Sequence, residues 1–201
     1  MTPAEYYHQC LTSIAPVFDS HWKSIANAYS GRAYHNLGHL AEILGHFAAL
    51  PTDIAPAAPP VFGVGLIYHD LVYVAGRKNN EARSADMATA ALKELGANTA
   101  NIKYCHNLIM ATKNHEAATA DEALLVDMDL AVLARSAEGY DAYARAVRQE
   151  FRYFPGLIYR PGRKQALRHF LDKPRIYQTE HFYHRFEAMA RANLEREIAT
   201  L

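Results

Sequence analysis

The chain has 201 residues, half of them hydrophobic, with 21 basic and 21 acidic side chains and a pI of about 7.2. That length suits one domain, spanning 1–201, that buries roughly 70% of its unfolded surface. The balanced charge excludes a global basic field able to hold nucleic acid or an anionic membrane.

Cys10 and Cys105 lie far apart, and the opening MTPAEYYHQC has neither the basic start nor the apolar stretch of a secretory signal. Reduced thiols in a cytoplasmic protein are therefore expected. The longest uncharged run, residues 54–68, carries Pro56, Pro59 and Pro60 and is shorter than the ~20 apolar residues of a membrane helix. No membrane partner is expected. Eleven histidines, several beside carboxylates, lean the composition toward metal chemistry.

From Pro3 to Tyr29 apolar residues recur at three and four, the helical period, with Gly31 as the stop. Residues 34–50, YHNLGHLAEILGHFAAL, place His35, His39, Ile43 and His46 on one stripe of a second helix. Pro51, Pro56, Pro59 and Pro60 mark a connection. The apolar segment 61–74 is long enough for a buried helix and contains the adjacent pair His69-Asp70. Asn79 or Asn80 caps a helix from Glu81 to Gly96. Another helix is expected from Thr99 to His115, with His115 turned inward.

In the segment DEALLVDMDLAVLAR, a turn of about 100° per residue puts Asp129 on the apolar stripe and Asp127 on the opposite, wet side. Ser136 caps a helix through Phe154. Gly156 and Pro161-Gly162 break the chain before a helix through Phe170. Thr179 opens the last helix, with Phe182, Phe186, Ala190, Leu194 and Ile198 inward and Glu187, Arg191 and Glu195 as a solvated face. The expected fold is all-α.

Three polar misfits thus fall on apolar surfaces: His39, the His69-Asp70 pair and Asp129. Taken singly, each is more often a satisfied core polar group than a ligand. Together they form a His2Asp2 donor set. A buried ionised carboxylate needs a compensator, and mixed nitrogen and oxygen donors suit a divalent Mn, Fe, Zn or Mg ion.

The order His, His-Asp, Asp on a helical chain resembles the HD superfamily of metal-dependent phosphohydrolases, and in particular an uncharacterised bacterial branch of predicted members. Tyr34-His35-Asn36-Leu37-Gly38-His39 resembles the YHNxxH motif shared by some HD proteins and cyclic-nucleotide phosphodiesterases, and Asp129-Leu130 resembles the closing Asp-Leu. The resemblance implies an HD-type helical bundle with its metal-site core at about 32–133. His39, His69, Asp70 and Asp129 are the implied metal ligands. His35, at the position of the phosphodiesterase proton donor, and Asp70 are the implied catalytic residues. The chain lacks the histidine that follows HD in the phosphodiesterases and any counterpart of their nucleotide clamp.

Arg77, Glu81, Lys113 and His115 are further candidates for substrate binding. His115 is open between second-metal ligand, phosphate contact and helix-terminal histidine. Arg163-Lys164 is a further phosphate candidate. The implied activity is hydrolysis of a small-molecule phosphate substrate, a nucleotide or phosphorylated metabolite, by metal-activated water. The alternatives are a non-hydrolytic di-iron oxygenase of the same fold and a metal- or nucleotide-binding sensor. No nucleic-acid partner is indicated, and the sequence leaves the oligomeric state open.

Overall fold

Side-chain caps set most of the helix starts. Thr2, Asn36, Asn98, Thr119, Ser136 and Thr179 each accept a backbone N–H of the turn that follows, which satisfies one of the donors every helix start leaves unpaired. A computed structural model describes residues 1–15 and 17–201.

The described residues form ten α-helices and no strand. In chain order they are α1 (Pro3–Ile14), α2 (Trp22–Tyr29), α3 (Leu37–Ala48), α4 (Pro59–Tyr68), α5 (Asn80–Glu94), α6 (Thr99–Ala111), α7 (Ala120–Leu130), α8 (Ala137–Glu150), α9 (Gly156–Leu171) and α10 (Glu180–Thr200). A 3-10 turn, Ala131–Ala134, follows α7. None of these helices is long and apolar enough to cross a membrane.

Helix α4 is the centre of the bundle. Every residue from Val61 to Tyr68 is buried, and α1, α5, α6 and α3 pack around it. A helix apolar on all sides has no wet face and must be enclosed. Gly63 allows a close approach: a Cβ there would sit 2.3 Å from Sγ of Cys10 on α1. The apolar core is continuous from Tyr6 on α1 to Leu194 on α10.

Several expected boundaries move. The single helix over 3–29 is two helices, with Ala15 extended at φ −139° and ψ 139°. Residue 16 of that segment lies outside the described residues, but as a proline in the sequence it disfavours helical backbone at the residue before it. Helix α3 starts at Leu37, so His35 precedes it. Helix α4 ends at Tyr68, so His69-Asp70 stands at its exit. Helix α6 ends at Ala111, so His115 stands in the turn beyond it, and α8 ends at Glu150.

In the other direction, α9 runs through Pro161-Gly162 without a break. The carbonyl that Pro161 leaves without a donor belongs to Leu157, which is 91% exposed.

Two acidic residues assigned to wet faces are buried. Asp127 is fully enclosed, and its carboxylate accepts from Gln178 N at 2.8 Å and from Thr179 N and Oγ1, both at 2.7 Å. It thereby anchors the start of α10. Glu187 accepts from the backbone N–H groups of Ile176 and Tyr177 and from Arg191 Nε at 2.7 Å. A helix enclosed by other helices has no single wet side, so a wheel reading that assumes one places such residues wrongly.

Candidate metal centre

Asn36 links His39, the first expected ligand, to the turn before it. Its Oδ1 caps α3 through Gly38 N at 2.7 Å, and its Nδ2 donates to the carbonyls of Arg32 and Ala33. The cap starts the helix so that His39, in the first turn, faces inward while His35 stays outside it. The end of α4 is held from the same side. Tyr29 donates to the Ile67 carbonyl at 2.7 Å, and Arg32 donates to the carbonyls of Asp70 at 2.6 Å and Leu71 at 2.7 Å. The last carbonyls of a helix lack intrahelical donors; Tyr29 supplies one to Ile67, and Arg32 fixes the His69-Asp70 turn just beyond the helix.

With Asp129 near the end of α7, the four expected ligands meet. One donor atom from each of His39, His69, Asp70 and Asp129 lies within 4.8 Å of the others, a grouping that can hold a metal ion. His39 Nε2 is 3.1 Å from Asp129 Oδ1 and 3.9 Å from Asp70 Oδ2. His69 Nε2 is 3.2 Å from Asp70 Oδ2 and 3.6 Å from Asp129 Oδ1. Donors sharing an ion at bond lengths near 2.1 Å sit ~3.0 to ~3.4 Å apart in octahedral or tetrahedral arrangements, and these separations are of that order.

His69 provides the test of fit. Its Nδ1 is 2.8 Å from the Leu66 carbonyl, an acceptor only, so Nδ1 carries the hydrogen and the neutral ring has a bare Nε2. That Nε2 is buried and makes no hydrogen bond. A buried polar atom without a partner is costly, and a cation among two carboxylates satisfies it. His39 has a comparable second contact, with Nδ1 3.0 Å from the Tyr34 hydroxyl. Such outer contacts orient ligating imidazoles.

Without an ion, a proton on His69 Nε2 is the alternative charge that the two carboxylates favour at this place. Burial pushes the Asp70 carboxyl up, but His69 and His35 outweigh it and hold Asp70 below the usual carboxylate range. Burial likewise acts against ionised Asp129, and His115, His39 and His69 overcome it. Burial alone lowers His69, yet Asp70 and Asp129 raise it well above an ordinary histidine.

His35 stands at the rim. Its ring stacks on Tyr73 with centroids 3.9 Å apart, its Nδ1 is 2.7 Å from Glu150 Oε2, and its Nε2 is 3.9 Å from Asp70 Oδ2. Glu150 Oε1 also accepts the backbone N–H groups of Tyr34 and His35, at 2.8 and 3.0 Å. Burial lowers His35, but Asp70 and Glu150 more than compensate, so its pKa is raised.

His115 reaches the cluster from the far side, with Nε2 3.7 Å from Asp129 Oδ2. The other candidates do not join it. Arg77 and Lys113 are exposed and Glu81 is half-buried. No side-chain hydrogen bond or ion pair among the described residues ties these three to the ligands. Arg163 is committed to Glu197 through two hydrogen bonds of 2.8 and 2.9 Å.

Sequence reasoning missed Glu150, which stands at the end of an amphipathic helix and reads as a solvated acid. Its only signal is an acid opposite a histidine motif, at a separation of 115 residues. Comparison of the chain with models of known families, with curated proteins and with solved structures finds no match.

Proposed function

We propose that the chain is a metal-dependent phosphohydrolase of the HD type, acting on a phosphomonoester or phosphoanhydride of a nucleotide or small metabolite. The observation that carries this reading is the pairing of two geometries. Four donors converge, among them the buried His69 Nε2 that makes no hydrogen bond, and an ionisable histidine that is not among them stands 3.9 Å from one of them. The motif order His39, His69-Asp70, Asp129 and the YHNxxH stretch support the family.

A divalent ion held there supplies a Lewis acid for the phosphoryl oxygens and lowers the pKa of a water toward neutrality. Ion uptake would displace the proton that the carboxylates otherwise keep on His69. The protein's own groups supply the rest. Asp70 faces both the ligand set and His35, and so joins the place of attack to the proton donor. His35, anchored at Nδ1 by Glu150, presents Nε2 toward the site and donates a hydrogen from it to the leaving oxygen. Arg32 holds the His35 and Asp70 backbones in one frame through their carbonyls.

The deciding experiment is metal analysis of the purified protein followed by phosphate-release assays across nucleotides and phosphorylated metabolites, with oxygen uptake measured in parallel. Phosphate release that depends on the metal and consumes no oxygen is the expected result. Oxygen consumption with two bound irons sinks the reading in favour of an oxygenase. Tight stoichiometric nucleotide binding without turnover sinks it in favour of a sensor.

A further inference from the structure

His115 has a left-handed backbone, at φ 53°. A residue with a Cβ holds that conformation under strain, and only where its surroundings over-determine it. The surroundings here are the connection between α9 and α10. Lys173 Nζ donates to the His115 carbonyl at 2.9 Å and to the Asn114 carbonyl at 3.2 Å. Gln178 Nε2 donates to the His115 carbonyl at 3.3 Å, and Gln178 Oε1 accepts the N–H of Ala117 at 3.0 Å. Phe170 meets the imidazole edge-on, with centroids 5.1 Å apart. The whole 114–117 turn is therefore gripped from a part of the chain outside the metal core.

The grip places the ring against one atom of the centre. His115 Nε2 lies 3.7 Å from Asp129 Oδ2, whereas His39 and His69 face the other oxygen, Oδ1. Glycine would hold the same turn without strain, so the imidazole is what this position adds. A second ion is a poor explanation. Only His115 and Asp129 Oδ2 meet on this side, and among the described residues the one grouping of three or more donors is the four-ligand cluster.

We infer that His115 is a positioning residue of the metal centre, holding the outer oxygen of Asp129 so that Oδ1 is the one presented to the ion. This rests on the metal site proposed above. It assigns the α9–α10 connection, through Lys173 and Gln178, a share in setting metal affinity. Partners of ligating carboxylates typically change metal affinity by about 10- to 100-fold when removed.

The test uses the full chain stripped of metal, titrated with Mn2+ alone by calorimetry, alongside the thermal midpoint of each apo form. His115→Gly and His115→Asn both suit a positive φ, so their apo midpoints should equal or exceed that of the original chain. Their Mn2+ affinity should fall about 10- to 100-fold at unchanged stoichiometry. His115→Gln, which keeps a side-chain N–H of some reach but not the backbone advantage, should recover part of the affinity with no gain in midpoint.

Unchanged Mn2+ affinity in the glycine and asparagine variants overturns the inference and leaves the metal site standing. Loss of one of two bound ions overturns it in favour of direct ligation. An original chain that binds no Mn2+ brings down the metal site itself, a result distinct from both.

Discussion

Glu150 grips the His35 segment at three points: one oxygen receives the backbone N–H groups of Tyr34 and His35, and the other sits 2.7 Å from the ring Nδ1. The end of α8 thereby fixes where the His35 imidazole stands and helps raise its pKa.

Glu150→Gln keeps an oxygen to accept the backbone donors but loses the charge. It should retain the metal and lower kcat by roughly 10- to 100-fold, the worth of a charge-assisted hydrogen bond of about 1.5–3 kcal/mol. Because Glu150 helps raise His35, its loss lowers the pKa of the acid, and the alkaline limb of the kcat profile should move to lower pH. Stability offers a second check. Burial pushes the Glu150 carboxyl up, but His35 and the two backbone donors hold it below its usual value. The stability this confers is fully present above the unfolded pKa near ~4.3 and is lost as pH falls through the depressed folded value. Denaturant midpoints should favour the original chain over the variant at pH 7, by a margin that shrinks below about pH 4. A margin constant with pH would show that the carboxylate charge contributes nothing.

His35 and His39 are four positions apart, yet the helix starts between them, and only His39 belongs to the ligand cluster. His35→Ala should therefore keep the metal and lose about 10²- to 10⁴-fold in kcat, the range for general acid catalysis. A nitrophenyl phosphate ester, whose leaving group needs little protonation, should suffer much less. His39→Ala should lose metal and activity together on either substrate. Metal loss in His35→Ala would place His35 in the coordination sphere instead.

Much of the centre was legible because each part is local. The 34–39 stretch holds its histidines within six residues, Asp129 falls on the apolar stripe of its own segment, and His69-Asp70 announces itself as a polar pair in an apolar run. What was illegible depends on distant partners. Glu150 makes sense only beside His35, and Glu187 only beside the N–H groups of residues 176 and 177. The exits of α4 and α6 are set by Arg32, Tyr29, Lys173 and Gln178, all remote in sequence, so the expected helices overran both. Pro161 misled for another reason. Its cost falls on the carbonyl of a residue that water reaches, and α9 continues.

Gly63 on α4 packs against α1, and a Cβ there would meet Cys10 Sγ at 2.3 Å and the Tyr6 ring at 2.9 Å. Gly63→Ala should destabilise by about 1–3 kcal/mol, the usual cost of overpacking a filled core. Urea titration measures it. Adding Cys10→Ala removes the nearest atom and should recover part of the loss, while the Tyr6 contact remains. Additive losses in the double variant would mean that the helices part rather than that the sulfur is in the way.

Asp127 and Asp129 are two residues apart on α7 and separate scaffold from centre. Asp129 supplies an oxygen to the ligand cluster, so Asp129→Ala should abolish metal binding, read as metal content after gel filtration. The apo form should remain folded, since the substitution also removes one of two facing carboxylates. Asp127 points the other way, onto the start of α10, where it accepts three hydrogen bonds from Gln178 and Thr179. Asp127→Ala strands those donors in a partly buried place, and should cost about 1–3 kcal/mol for each that water cannot reach. Its metal content at low temperature, where the fold persists, should match that of the original chain. One coupling runs between the two, since Gln178 also holds the His115 turn, and a loosened α10 start should leave Mn2+ affinity slightly weaker without changing its stoichiometry. Equal metal loss in both variants would mean that α7 is turned differently from the arrangement described, with Asp127 facing the donor cluster rather than the start of α10.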